Sequence, residues 1–205
     1  MQSSISIANT ALMRIGVSRF IDSFSEATQE AHLINRIFVP TRQRLLRKLP
    51  WAFARQIRKL ELTNVEHPTY RYVYRYPDDA LRIFNLYPYE GQDIPERFWQ
   101  PTAKFGYETF NHQGERYIAT SLALAHALIV VDVQDSVIMD SLFEDLFAWE
   151  LAKELSMPLT VSSALAKNAA DAAAVAYDNA RVASLDERDD AGSGPEESEF
   201  VRARR

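Results

Sequence analysis

The 205-residue sequence has no cysteine, which excludes a disulfide framework, a thiol nucleophile and a zinc–thiolate site. Glycine is scarce too: there are six in the chain and no GxSxG, Walker-type or GxGxxG pattern among them, so little is available to build a phosphate-cradling loop. No run of 18 uncharged apolar residues occurs, so no membrane-spanning helix is expected. The opening MQSSISIANTALMRIGV carries its first positive charge at Arg14 and lacks a cleavage pattern, so no targeting leader is expected. Positive charge is in deficit, at a net −5, which argues against a dedicated DNA-binding domain but leaves room for a local basic patch. What is present, 47% hydrophobic and 25% charged residues, is the composition of a globular fold and excludes wholesale disorder.

The charges are segregated. Residues 36–60 hold eight cations (Arg36, Arg42, Arg44, Arg47, Lys48, Arg55, Arg58, Lys59) and no acid. Residues 132–154 hold seven acids against Lys153, and 186–199 seven more against Arg188. Such blocks are commonly solvated faces. The functional alternative is that one protomer's basic face meets another's acidic face, as in a ring of head-to-tail contacts. Composition leaves both open.

Residues 4–16 place Ile7, Ala8, Ala11, Leu12 and Ile15 at helical spacing, with Gly16 as a stop. Ser23 and Glu26 form a capping-box pattern, after which Ala27, Ala31, Ile34, Phe38, Leu45 and Leu49 continue an apolar stripe. A second helix is therefore expected up to about Leu49, kinked or divided at Pro40 and ended by Pro50. Short β-branched and aromatic runs follow at 54–62, 70–76, 81–86, 104–110, 116–121 and 128–133. In YRYVYRY, Tyr70, Tyr72, Tyr74 and Tyr76 alternate with Arg71, Val73 and Arg75, which suits a half-buried antiparallel strand. Asn111 to Gly114 (NHQG) reads as a hairpin loop. Ser141 and Glu144 offer another capping box. The helix after them, apolar around most of its circumference, is expected to form the core centre with Trp149 buried and to stop at Pro158. Ser162 or Ser163 then caps a helix to about Leu185, with Leu165, Ala169, Ala172, Ala176, Ala180 and Ala183 in one stripe and ten alanines in residues 161–185.

The expected fold is thus α+β: a helical bundle of two N-terminal and two long C-terminal helices with a central antiparallel β-rich region. Its parts are 1–50 (N-terminal helices), 51–135 (β region), 136–185 (C-terminal helices) and 186–205 (an extended acidic C-terminal tail).

Chemistry is sparse. His32, His67, His112 and His126 show no HExxH or other ligand spacing. Asp132, Asp135 and Asp140 could hold a divalent cation as in a nuclease, but a strand end, an Asx turn and a helix cap account for them as well. The basic stretch, with Trp51 and Phe53 interleaved among Arg42, Lys48, Arg55, Arg58 and Lys59, could bind nucleic acid. No catalytic, cofactor-binding or metal-binding residue is assigned.

Several segments in order resemble a known family. IANTALMRIGVSRFIDSFSE, RQRLLRKLPWAFARQIRKLEL, YVYRYPDDALRIFNL, VVDVQDSVIMDSLFEDLFAWELAKELSMPLT and the Ala-rich helix together resemble the head-to-tail adaptor proteins of short-tailed bacteriophages, the tail tubular protein A family. The resemblance covers about 5–185; the acidic tail and 89–100 depart from it. It implies a non-enzymatic virion protein without cofactor, present in the host cytoplasm during assembly. Twelve copies would form a ring beneath the portal protein, extend the DNA channel and offer a platform to the distal tail (nozzle) protein. DNA would pass through the lumen without specific binding, the basic stretch being turned mostly into protein contacts. The interface residues expected on this reading are Arg42, Arg44, Arg47, Lys48, Arg55, Arg58 and Lys59, with Phe200, Val201, Arg202, Arg204 and Arg205 as an apolar pair and cationic end that docks on a neighbour, the portal first. The alternative is a nucleic-acid-binding accessory protein that uses 36–59.

Overall fold

The computed structural model describes residues 3–88 and 105–190. Four helices and six strands follow in the order α1 (Ser4–Arg14), α2 (Gln29–Leu46), β1 (Arg55–Lys59), β2 (Tyr72–Arg75), β3 (Ala80–Pro88), β4 (Tyr107–His112), β5 (Glu115–Thr120), β6 (Ala125–Val131), α3 (Ser141–Thr160) and α4 (Ser163–Asp190). The mixed α+β class and the helix–sheet–helix order agree with the sequence reading.

α1 starts where Ser3 Oγ accepts the Ser6 amide at 3.1 Å. It ends where Gly16 adopts φ 76° and its amide returns to the Met13 carbonyl, a left-handed turn that suits glycine. The start of α2 differs from expectation. Ser23 and Glu26 do form half of a capping box, with Glu26 Oε1 accepting the Ser23 amide at 2.7 Å, but the motif closes a turn. The helix is capped at Thr28, whose hydroxyl accepts from Ala31. Pro40 stands exposed inside one continuous helix, which ends at Leu46 rather than Leu49.

α3 is capped by Asp140, one residue before the expected Ser141, and Oδ1 accepts the amides of Leu142 and Phe143. Pro158 does not stop it. The helix continues to Thr160, with the Ser156 and Thr160 hydroxyls bonded back to Ala152 and Ser156, and it closes at Val161 in a left-handed conformation. α4 runs to Asp190, five residues beyond the expected end, so the first part of the supposed tail is helical.

The strands form two three-stranded antiparallel sheets, β1-β6-β3 and β2-β5-β4. The β4–β5 hairpin turns on Gln113 and Gly114, both at positive φ (52° and 86°), the geometry that a two-residue primed turn requires. The layers stack in sequence. α1, α2 and α4 pack around α3, and this helical core also takes in Trp51, Phe53, Ala54, Val130 and Val133 from the β region. The opposite face of β6, through Ala125, Ala127 and Ile129, meets Tyr74, Tyr76 and Ile118 of the second sheet. Beyond that sheet, Val73, Tyr117 and Ala119 pack on Val65, Tyr70 and Phe110. β2 is therefore covered on both faces rather than half-buried, and Tyr70 lies with Val73 instead of with Tyr74 and Tyr76.

Candidate interaction site

The cations singled out in the sequence are brought to the junction of α2, α3 and the first sheet, and most meet acids of their own chain. Arg42, only 6% exposed, forms a bidentate pair with Asp132 (2.9 and 3.0 Å), and Gln43 Nε2 donates to the same carboxylate at 2.8 Å. Arg44 reaches Glu150 and Glu154 (3.2 and 3.0 Å). Lys48 reaches Glu150 at 3.4 Å and sits 4.6 Å from the centre of the Tyr177 ring. Arg47 donates to the Leu81 carbonyl at 2.7 Å, and Arg82 donates to the Arg47 carbonyl at 2.9 Å. Arg58 pairs with Asp79 at 2.6 Å and bonds Gln56. Arg55 lies half-buried on β1, and Lys59 is exposed at its end. Arg42, Arg44 and Lys48 of the basic block thus meet Asp132, Glu150 and Glu154 of the acidic block in one intramolecular seam.

Glu150 is the centre of that seam. Its residue is 5% exposed, and its carboxylate faces Arg44, Lys48 and Lys153, the last in a short contact within α3. Burial pushes its pKa up, but the hydrogen bond and charge of Lys153, then the charges of Lys48 and Arg44, outweigh that and hold it below the usual carboxylate value. A second junction joins α1 to α3: Arg14 pairs with Asp145, donates to the Asp145 carbonyl at 2.9 Å, and lies 4.2 Å from the Trp149 ring centre. Trp149 is consequently half-buried under a guanidinium, and Phe143 and Phe147 are the fully buried aromatics of α3.

The aromatic platform that the nucleic-acid alternative needs beside the cations does not form. Trp51 is buried, donates from Nε1 to the Leu45 carbonyl at 3.0 Å, and packs with Phe53 against Phe143. Neither ring is presented to a base. The three aspartates are also engaged separately: Asp132 with Arg42, Asp135 accepting the Val137 amide of a single 3-10 turn at Ser136–Ile138, and Asp140 as the α3 cap. Among the described residues, no group of three His, Asp or Glu side chains could hold a metal ion. His67 accepts the Thr69 and Tyr70 amides, and burial, then Lys59, keeps the His126 imidazole below its ordinary pKa. Phe200, Val201, Arg202, Arg204 and Arg205 lie outside the described residues.

Sequence reasoning missed the outward apolar residues. Val175 (62% exposed) and Val182 share the outer face of α4, seven residues apart, and Val137, Ile138 and Leu142 are exposed around the start of α3. Helical spacing could have found the first pair, because the buried stripe (Ala169, Ala173, Ala176, Ala180) leaves 175 and 182 on the opposite side. No family model matches the sequence, and a search of curated proteins finds no match.

Proposed function

We propose that this chain is a structural virion protein, a head-to-tail adaptor. Twelve copies form a ring below the portal of a short-tailed phage, continue the DNA channel, and seat the distal tail protein. The observation that carries this reading is the ordered set of five family-like segments. These fall on α1, α2 with β1, β2 with β3, β6 with α3, and α4, so the likeness follows the scaffold of the molecule. The outward valines of α4 and the exposed apolar residues around the start of α3 support it, since contiguous rings need such faces.

On this reading the seam between α2 and α3 holds the protomer together, and the ring contacts are made elsewhere. The nucleic-acid alternative has weaker support, because Arg42, Arg44, Lys48 and Arg58 face carboxylates and Trp51 and Phe53 pack in the core. The test is a rotationally averaged image of particles containing the chain: a twelve-fold ring between portal and tail is expected, and a monomeric or two-fold decoration overturns the proposal.

A further inference from the structure

Leu62 and Leu124 are 59% and 51% exposed, and both line a groove of about 570 Å3. The buried side chains Leu60 and Tyr74 form part of its lining, and Lys59 and Glu61 stand at the rim. Its walls are fixed: the Leu60 amide donates to the Ala125 carbonyl at 2.9 Å, and Tyr74 Oη donates to the Leu122 carbonyl at 2.6 Å. The size is that of a ligand-accepting cleft. Among the described residues, neither Lys59 nor Glu61 forms an ion pair.

We propose that this groove receives a segment of the same chain, with Phe200 and Val201 against Leu62 and Leu124, Glu199 facing Lys59, and Arg202 facing Glu61. Charge order is the first argument. The segment reads acid, two apolar residues, cation (Glu199, Phe200, Val201, Arg202), and the groove offers a cation and an acid two residues apart beside a pair of leucines.

Reach is the second. Ala183, Ser184 and Glu187 of α4 line the same small depression as Trp51 and Phe53. From Phe53 to Leu62 the chain covers at most about 30 Å, and from the end of α4 at Asp190 the ten residues to Phe200 span up to roughly 33 Å. The segment is therefore long enough to meet the groove of its own protomer when extended. This inference does not depend on the adaptor reading.

The absence of cysteine makes the test clean. In the full-length chain, Ala203→Cys carries a nitroxide, and the methyl NMR signals of Leu62 and Leu124 are followed at high dilution. They are expected to lose most of their intensity. Glu199→Lys, which changes none of the described contacts, should restore the intensity, and adding Lys59→Glu to it should remove the intensity again by re-forming the pair with reversed signs. Undiminished leucine signals overturn the proposal. Broadening that appears only between labelled and unlabelled molecules in a mixture also overturns it, because the occupant would then be a second copy.

Discussion

Glu150 shows how one buried side chain can gather three cations where α2 meets α3. Removing its charge leaves Arg44, Lys48 and Lys153 facing one another, and the partly exposed cations soften that repulsion only in part. Glu150→Gln should destabilise the protomer by about 2 to 3 kcal/mol, measured by denaturant unfolding at neutral pH. The effect has a defined pH window. A carboxyl whose folded pKa lies below its unfolded one contributes in full above the unfolded value of about 4.3, and that contribution fades as the pH falls towards the folded value. The difference between the native chain and Glu150→Gln should therefore be constant near neutrality and shrink in acid; a difference that grows on acidification would contradict the assignment. The charge blocks on either side of this residue were legible in the sequence, but their pairing was not. Arg44 and Glu154 are separated by 110 positions, and no local spacing reports which faces meet over that distance.

At the scale of the element, α3 and α4 make opposite use of bulk. α3 buries large rings, with Phe147 between Phe38 and Phe143. Phe147→Ala should cost about 3 to 5 kcal/mol, whereas Trp149→Ala, at a half-buried position under Arg14, should cost about 1 to 2, both read from thermal or denaturant midpoints. α4 approaches α3 through alanines, so added volume has nowhere to go. Ala173→Leu should cost roughly 1 to 3 kcal/mol and raise amide exchange along α4, and Val175→Ala should stay within about 0.5.

The strands were legible because six short runs separated by turn residues read as β, and Gln113 with Gly114 supplied the turn. The helix ends were less so. Ser23 and Glu26 satisfy local donors equally well in a turn, and Pro158 falls in the last turn, where the Ser156 and Thr160 hydroxyls bond the chain on either side of the missing donor.

For the whole molecule, a seam closed within one chain has a measurable signature. Arg44→Glu puts a carboxylate beside Glu150 and Glu154 and should lower the protomer's stability by about 1 to 2 kcal/mol. Because both partners belong to the same chain, the loss should be the same at every protein concentration; a loss that disappears on dilution would place the contact between copies.

The strand β6 belongs to two cores at once, with Val130 turned to the helices and Ala127 and Ile129 turned to the second sheet. It is also hydrogen-bonded along both edges, to β1 and β3. The protein is in this sense a laminate glued on either side of a single ply. A force directed along β6 would have to shear both ladders together instead of opening them rung by rung, so under mechanical load the helical and sheet halves should yield in one event.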